Sequence, residues 1–487
     1  MERLFSTRRV FLVVLAAGLF SLAARDLSDP DIWWHLRTGQ LILETRSVPH
    51  TDPFSYTRRG EVWIAHEWLT EVFLYLAYRV AGKGALVIGF AAIIAAAFLI
   101  AYRRSPGRPY LAGAMTAWGA LASVPTWGVR PQMLTLLLVS LFLFFLDQSE
   151  LNPRLLWWLP ALTLLWVNLH GGYAVGIGLI VLYFAGSALD WAFGRVSRAQ
   201  AVSRMRHLTA VLFACLMLVP FNPSGTRLYW YPIETLRSRA LQGYISEWRP
   251  PDFHLARFQL FFWMVLFTGV ALALSKERVR FHQWLIAVVT AGAALHSIRH
   301  IPIFALVAIP LLSERLEHLL TNRPWANSLL VPRANSSPRL VSTNALILMS
   351  VLAFVALHLY HTVREFKTSE ARTFPAAAAS FLTAEHVPVP LLNHYDWGGY
   401  LIWRLYPKYH VWVDGRTDLY GDNFMEQFLQ LYWAKEGWKQ QLDNAGIMSV
   451  ILPPSAPLAR SLLHVPGWQQ IYGDGQAVIL TRTDISK

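Results

Sequence analysis

The stretch DLSDPDIWWHLR, residues 26–37, follows the first apolar segment of the chain and determines how the rest is interpreted. It holds three carboxylates within six positions, at Asp26, Asp29 and Asp31, and two tryptophans, a histidine and an arginine follow them. Trp is enriched at membrane interfaces, and polar residues retained near a membrane tend to be functional. The stretch therefore predicts a functional site, provided that the neighbouring segments cross a membrane.

The composition indicates an integral membrane protein. Of the 487 residues, 54% are hydrophobic and 15% are charged, whereas soluble domains carry about 25% charged residues. A single cysteine, Cys215, excludes a disulfide framework and a cysteine-rich metal site. The net charge of +13 is expected to report loop topology. No basic run is interleaved with aromatic residues in a polar segment, so no nucleic-acid partner is expected.

Eleven apolar blocks predict membrane-spanning helices, since a span needs roughly 20 mostly apolar residues. They are 10–25, 85–102, 110–127, 131–147, 154–168, 173–192, 207–221, 256–274, 280–297, 301–313 and 344–360. No cleavage site ends the first block, so it is interpreted as a span rather than as a signal peptide. The block 301–313 is short enough to form a re-entrant segment instead.

The charges of the loops predict the orientation of the chain. With the N-terminus inside, the inward loops are the basic ones that the positive-inside rule requires, namely 103–109, 148–153, 193–206, 275–279 and 314–343. The outward segments are then 26–84, 128–130, 169–172, 222–255, 298–300 and the whole tail from residue 361, so the C-terminus lies outside. Residues 66–81 have an apolar face but two acids, which predicts an amphipathic helix on the outer surface. If that segment were a span, every later loop would change sides.

Polar residues near the ends of the blocks fall on the outer side in this arrangement, which predicts an extracytoplasmic site. They include Asp29, Asp31, His35, Glu67, Arg130, Asn168, His170, Arg299 and His300. Arginine holds phosphate oxygens bidentately, so Arg299, with Arg130 or His300, is expected to bind a phosphate. The alternative for these residues is snorkelling towards lipid headgroups. Asn168 and His170 fit substrate binding and polar contacts between helices equally well.

Asp31 is the main candidate for catalysis. A carboxylate beside indoles in a low-dielectric site has a raised pKa, which suits a general base. Hard divalent cations such as Mg²⁺ or Mn²⁺ also prefer carboxylate oxygens, so Asp31 and secondarily Asp29 are candidate metal ligands. Asp29 fits a helix cap as well. His35 lies one turn after Asp31 on the same helical face and is expected to orient that carboxylate or to share its ligand. Trp33 and Trp34 fit an interfacial belt or a platform that stacks on a sugar.

The tail, residues 361–487, predicts a small α/β domain with a partly parallel sheet, because strand-like and helix-like segments alternate there. The expected strands are 388–393, 410–414, 447–452 and 477–481, and the expected helices are 397–406 and 424–444. Ligands of such sheets bind at the carboxyl ends of strands. The loops that leave two of these strands carry Asp396, Trp397, Asp414 and Arg416, which are therefore expected to bind substrate.

Two motifs resemble those of a known superfamily. The run from Asp29 to Arg37, just after a first span, resembles the first-loop acidic motif of the GT-C membrane glycosyltransferases, and in particular the Asp-Pro-Trp-Phe-Asn-Tyr-Arg stretch of oligosaccharyltransferase catalytic subunits. Tyr395-Asp396-Trp397-Gly398-Gly399-Tyr400 and the apolar runs behind it are similar in order to the segments at and behind the Trp-Trp-Asp-Tyr-Gly signature of that family. The resemblance places Asp31 at the essential aspartate of the family.

The resemblance implies a fold and an activity. The fold would be a polytopic α-helical domain over residues 1–360 with an extracytoplasmic α/β domain over residues 361–487. Such an enzyme sits in the plasma (inner) membrane and moves a sugar from a polyprenyl-phosphate or -diphosphate carrier to an acceptor glycan, lipid or protein on the outer face.

The chain also departs from the family pattern. The signature is only approximated, so recognition of a glycosylation sequon is not carried over. A second acidic pair in a later outer loop is not evident, and Glu234, Glu247 and Asp252 are the candidate substitutes.

Two alternatives remain beside the enzyme. A transporter or flippase for a lipid-linked or anionic solute would place its polar residues near the middle of the membrane, whereas here they cluster at one face. A non-catalytic subunit of the same superfamily stays open because the second acidic pair is missing.

Overall fold

The computed structural model describes residues 5–275, 278–321, 323–332 and 337–483. The predicted inward loops 275–279 and 314–343 therefore lie partly outside the described residues. The chain forms two compact units that each draw on separate parts of the sequence. The first unit comprises Met1–Arg25, Val87–Tyr229 and Ser246–Val363, and the second comprises Asp26–Leu86, Trp230–Ile245 and Arg364–Lys487.

The first unit is helical. Its main helices are Thr7–Ala23, the second part of Trp68–Arg104, Pro109–Ser123, Gln132–Gln148, Trp158–Leu169, Tyr173–Ala192, Arg198–Leu218, Ala256–Ala273, Phe281–His296, Ile301–Leu320 and Pro338–Arg364. Each of the eleven apolar blocks falls on one of these helices. The block 301–313 begins a helix of 20 residues, which is longer than its apolar part.

Five helices among the described residues are long and apolar enough to cross a membrane. They are Trp68–Arg104, Tyr173–Ala192, Arg198–Leu218, Ala256–Ala273 and Pro338–Arg364. A further apolar helix, Gln132–Gln148, is shorter. The chain is thus a membrane protein by the length and composition of its helices, while the count of eleven spans and their orientation stay predictions.

The helix Trp68–Arg104 is interrupted near its middle. Ala81 and Gly82 have non-helical backbone angles, and Gly82 adopts a φ of 64°, which glycine reaches without steric cost. The part before the break contains most of residues 66–81, and the part after it contains the apolar block 85–102. The predicted segment 66–81 is therefore helical and distinct from the span behind it, although its place on the outer surface stays a prediction.

The second unit combines short helices with one small sheet. Its main helices are Ile32–Thr45, the first part of Trp68–Arg104, Tyr231–Arg237, Phe366–Thr373, Ala376–Ala384, Gly398–Leu405, Thr417–Tyr432, Trp438–Asn444 and Pro457–Leu462. Its strands are β1 (Leu391–Asn393), β2 (Ser449–Leu452), β3 (Trp468–Gly473) and β4 (Val478–Arg482).

The sheet has the order β1-β2-β4-β3, with β1 parallel to β2 and the other pairs antiparallel. The apolar side chains of β1, β2 and β4 are buried against helices Thr417–Tyr432 and Trp438–Asn444. The sheet is therefore mixed, as the tail predicted, and the carboxyl ends of β1 and β2 lie at the same edge. The first loop and the tail contribute to the same unit. The predicted domain boundary at residue 361 is not tested by this division.

The predicted strand 410–414 is wrong. Asn393, at the end of β1, is fully buried, and its Oδ1 accepts the backbone N–H groups of Trp412 at 2.7 Å and Val413 at 3.3 Å. Its Nδ2 donates to the carbonyl of Val413 at 2.8 Å. A side chain thus takes hydrogen bonds that a neighbouring strand would have made, so the segment is extended and buried without joining the sheet.

Candidate active site

Asp29 and Asp31 lie just before the N-terminus of helix Ile32–Thr45 in the second unit. Asp29 Oδ1 accepts the backbone N–H of Asp31 at 2.8 Å, which is the turn-fixing role of a short carboxylate before a helix. Asp31 is half-buried, and its Oδ1 accepts the indole N–H of Trp34 at 3.1 Å. The geometry gives Asp29 a local structural role and leaves Asp31 as the positioned carboxylate.

The two tryptophans of the motif pack inside the second unit. Trp33 is 2% exposed and Trp34 is 8% exposed. Trp33 makes an edge contact with Tyr400 at a ring-centroid distance of 5.2 Å. The interpretation as an interfacial belt or a sugar platform is therefore wrong for Trp33, which is a core residue, and Trp34 acts by holding Asp31.

Three glycines let three distant stretches of the second unit approach closely. A Cβ atom on Gly415 would overlap the carboxylate of Asp31, and one on Gly399 would overlap the carbonyl oxygen of Pro30. A Cβ atom on Gly398 would overlap the backbone of Val413. The first-loop motif, the loop after β1 and the segment after Val413 thus form one neighbourhood around Asp31.

A buried ionic cluster lies beside Asp31. His35 is buried, with Nδ1 3.2 Å from Glu71 Oε1 and Nε2 3.6 Å from Glu67 Oε2. The other carboxylate oxygen of Glu67 lies 3.2 Å from His66 Nε2. Because both ring nitrogens of His35 face carboxylates, the doubly protonated imidazolium is favoured.

The pKa values of both histidines reflect these contacts. Burial alone would lower the pKa of His35, but its hydrogen bond to Glu71 and the charge of Glu67 raise it above the ordinary value. Burial also opposes the charged form of His66, yet the carboxylate of Glu67 raises the pKa of His66 to about 9. His66 is therefore cationic at neutral pH, and the surroundings of His35 favour its charged form.

Asp31 titrates close to neutrality. Burial is the largest cause and raises the pKa of Asp31 to about 6, while the charge of His35 and the hydrogen bond from Trp34 lower it. The charges of Asp414 and Glu67 add to the increase. A carboxylate with this pKa is ionised at pH 7 and is a stronger base than an exposed aspartate, which suits proton abstraction.

Asp414 and Arg416 form an internal ion-pair network. Arg416 is 2% exposed and donates through Nε to Asp414 Oδ1 at 2.8 Å and through Nη2 to Asp414 Oδ2 at 2.6 Å. Its Nη1 donates to Asp52 Oδ1 at 2.7 Å, and its guanidinium lies 4.6 Å from the ring centroid of Trp63. The network positions the loop that carries Gly415, and the predicted contact of Asp414 and Arg416 with substrate stays a prediction.

Asp396 and Trp397 line a pocket of about 440 Å³ at the carboxyl ends of β1 and β2. Its wall includes Ser28 and Pro30 from the first-loop motif and Pro453 from the end of β2. The pocket thus lies where the strand-end loops predicted a ligand.

Arg130, Arg299 and His300 come together in the first unit. Arg130 forms an ion pair with Glu247. Arg299 donates to Gln132 Oε1 at 3.3 Å, and its guanidinium lies 4.3 Å from the ring centroid of Trp248. The ring of His300 contacts the same indole at 6.2 Å. Glu247, one of the candidate substitutes for a second acidic pair, is therefore the partner of Arg130 in a basic cluster.

Asn168 and His170 make contacts between segments of the first unit. Asn168 Nδ2 donates to the carbonyl of Phe221 at 3.0 Å. Nδ1 of His170 accepts the backbone N–H of Gly172 at 2.9 Å and lies 2.8 Å from Thr135 Oγ1. These bonds agree with the alternative of polar contacts, and the role in substrate binding stays a prediction.

The predicted metal at Asp31 is not tested by the structure. No group of three or more His, Cys, Asp or Glu residues suited to a metal ion occurs among the described residues. Asp29 Oδ1 and Asp31 Oδ1 each accept an N–H group. A metal at Asp31 stays a prediction, and the chemistry proposed for Asp31 does not depend on it.

Sequence reasoning missed the partners of the candidate residues. Glu71, Asp52 and Trp248 were not predicted as site residues. For Glu71 a signal was present, since it lies one helical turn after Glu67 and so shares its face. The contact of Asp52 with Arg416 joins positions more than 360 residues apart, so no local sequence pattern could predict it.

No protein-family model and no curated protein matches the chain. Among solved structures, it is similar to the Archaeoglobus fulgidus oligosaccharyltransferase in the apo form, with 12% identity and a TM-score of 0.51 over 91% of this chain and 69% of that chain. The complex of AglB from the same archaeon with an inhibitory peptide and a dolichol-phosphate gives 12% identity and a TM-score of 0.53 over 91% and 69%. The form tethered to an acceptor peptide with an NVT sequon gives 12% identity and 0.53 over 92% and 70%.

The fold is similar to that of the archaeal oligosaccharyltransferases, as the resemblance of the first-loop motif predicted. The similarity covers nine-tenths of the chain at 12% identity.

Proposed function

We propose that the protein is a glycosyltransferase that moves a sugar from a lipid-linked carrier to an acceptor. The observation that carries the proposal is Asp31, a half-buried carboxylate with a pKa of about 6, placed by close packing of the first-loop motif and the segment around Gly415. The fold supports the proposal, since its structural relatives are oligosaccharyltransferases.

In the proposed reaction, Asp31 accepts the proton of an acceptor hydroxyl while that oxygen bonds to the anomeric carbon of the donor sugar. The bond from this carbon to the phosphate oxygen of the carrier breaks, and its electron pair leaves with the phosphate. Attack opposite to the leaving group inverts the anomeric configuration. The indole of Trp34 holds the carboxylate, and the imidazolium of His35 keeps it ionised.

The basic cluster of the first unit is proposed to bind the carrier phosphate. Arg130 and Arg299 are the side chains suited to bidentate contacts with phosphate oxygens. The complex of AglB with a dolichol-phosphate supports a polyprenyl carrier for this chain as well.

The place of the reaction is proposed from loop charge. The basic loops favour a cytoplasmic N-terminus, which puts Asp31 and the tail on the outer face of the plasma (inner) membrane. The acceptor would then be a glycan, lipid or protein outside the cytoplasm.

Asp31→Asn tests the proposal. The amide cannot accept the proton, so transfer from polyprenyl-phosphate and polyprenyl-diphosphate sugars by the full chain in lipid vesicles should fall by about 10²- to 10⁴-fold. Asp26→Asn is the matched control, because Asp26 lies in the same loop and bonds Ser369 instead.

Unchanged transfer by a correctly inserted Asp31→Asn protein would disprove the proposed role of Asp31 as the base. A lipid-linked sugar that crosses the vesicle membrane without being cleaved from its carrier would point to a flippase.

A further inference from the structure

The pocket of about 440 Å³ in the second unit has the size of a small-molecule site. Three loops at the edge of the sheet form it, namely the one after β1, the one after β2 and the β3–β4 turn. Ser28 and Pro30 close it from the first-loop motif. The residues that line the pocket thus include the neighbours of Asp31 in sequence.

The charge of the lining excludes an anionic ligand. Among the described residues that line the pocket there is no Lys or Arg, and Asp396 is the one acidic side chain. Burial lowers the pKa of His394 despite the charge of Asp396, so this imidazole is neutral at pH 7. A phosphate or carboxylate would therefore meet a negative group and no compensating cation.

The backbone of the lining disfavours a peptide held as an added strand. Such recognition requires main-chain N–H and C=O groups along one edge. Three of the lining residues, Pro30, Pro453 and Pro454, have no N–H to donate. What the pocket offers instead is apolar surface from these three rings, with polar side chains at separate points.

The polar side chains suit hydroxyl groups. Asp396 is an acceptor, Gln476 is both donor and acceptor, and Ser28 and Ser455 carry hydroxyls that do either. Asp396 is exposed and Gln476 is half-exposed. Nδ1 of His394 has no hydrogen-bond partner among the described residues.

We propose that this pocket binds a neutral carbohydrate, one or two sugar rings in size, whose apolar face contacts Pro30 and Pro453 and whose hydroxyls bond Asp396 and Gln476. The proposal rests on the proposed glycosyltransferase function in one respect, namely that the bound sugar is the acceptor. The acceptor class is then a glycan, and the pocket holds it independently of the carrier phosphate.

Saturation-transfer NMR on the full chain in lipid nanodiscs tests the pocket. The probes are methyl glucoside, methyl mannoside, methyl N-acetylglucosaminide, a peptide with an Asn-Val-Thr sequence, and inorganic pyrophosphate. At least one methyl glycoside should bind in a manner that depends on Asp396, and any binding of the peptide or of pyrophosphate should be the same in Asp396→Ala. Gln476→Ala should weaken binding of the glycoside about twofold to tenfold, as the loss of one hydrogen bond does, and Asp396→Ala should weaken it by more than tenfold.

Gln469→Ala is the control, since this exposed residue of β3 does not line the pocket. Binding of the peptide or pyrophosphate that depends on Asp396, failure of every methyl glycoside to bind, or sugar binding that survives Asp396→Ala would each overturn the proposal.

Two outcomes separate this inference from the proposed function. If transfer depends on Asp31 but no saccharide binds at Asp396, the pocket proposal fails and the proposed enzymatic function stands. If a saccharide binds in a manner that depends on Asp396 but no lipid-linked donor supports transfer, the pocket proposal stands and the proposed enzymatic function fails.

Discussion

At the scale of single residues, the charge balance around Asp31 sets a pH dependence. Burial raises its pKa to about 6, and the nearby charge of His35 limits the increase. A general base must be unprotonated, so activity is lost as the pH falls through this pKa. We expect kcat/KM to be level above pH 7, halved near pH 6, and to fall tenfold per pH unit below pH 5. The measurement is initial transfer rate against pH in vesicles.

The variant His35→Gln checks the cause of this dependence. Without the imidazolium the carboxyl of Asp31 loses a stabilising charge, so the acid limb should move to higher pH. His386→Gln is the control, because His386 is exposed and lies outside the cluster. An acid limb that stays at the same pH in His35→Gln would show that the charge of His35 does not lower the pKa of Asp31.

Arg416 supports a prediction about stability. The charges of Asp414 and Asp52 raise the pKa of Arg416 far above the ordinary value despite its burial, so the side chain is always charged. Arg416→Met leaves two buried carboxylates without their cation, and breaking a buried network in this way costs about 3–5 kcal/mol. The thermal unfolding midpoint in detergent should fall clearly. Arg460→Met, at an exposed position, should leave the midpoint unchanged, and an equal fall in both variants would contradict the prediction.

At the scale of elements, Gly398 determines how closely helix Gly398–Leu405 packs on the segment at Val413. A Cβ atom there would overlap the carbonyl oxygen of Val413, and backbone cannot swing aside as a side chain does. Gly398→Ala should therefore destabilise the fold by about 1–3 kcal/mol and displace Gly415 from Asp31, with a loss of transfer. The measurements are the unfolding midpoint and the transfer rate.

Gly243→Ala is the matched control, because a Cβ atom on Gly243 would meet nothing within 4 Å. Alanine also favours a helix over glycine, so this variant should be at least as stable as the natural chain. A Gly398→Ala protein with normal stability and transfer would refute the close-packing argument.

Local sequence patterns predicted the helices better than the strands. Blocks of apolar residues predicted every main helix of the first unit, because apolar length alone selects a helix in a membrane protein. Strands were predicted less well. The run 410–414 has strand composition, but its backbone bonds the side chain of Asn393 and the backbone of Phe54 and Tyr56 instead of a strand of the sheet, which composition does not reveal. β3 was missed although Gly473-Asp474-Gly475 marks the turn that comes after it.

At the scale of the whole molecule, the sequence singles out Asp31 as the candidate base but does not predict its surroundings. Motif and loop charge single out Asp31 without any three-dimensional information. The approach of Gly415 to Asp31 depends on contacts between segments hundreds of residues apart, and only packing decides these. The same holds for the ion pair of Arg130 with Glu247 in the first unit. Sequence therefore located the candidate chemistry, and the fold supplied its partners.

The orientation of the chain in the membrane is the prediction that belongs to the whole molecule. Loop charge puts residues 193–206 inside and the tail outside, so a Cys placed at the exposed Lys439 should react with an impermeant thiol reagent on intact cells. A Cys placed at the exposed Arg198 should react only after permeabilisation. The background is Cys215→Ser, which removes the one natural cysteine, itself buried. If residues 66–81 were a span, the pattern would reverse. Labelling of Arg198→Cys and protection of Lys439→Cys on intact cells would therefore contradict the outer location of the tail.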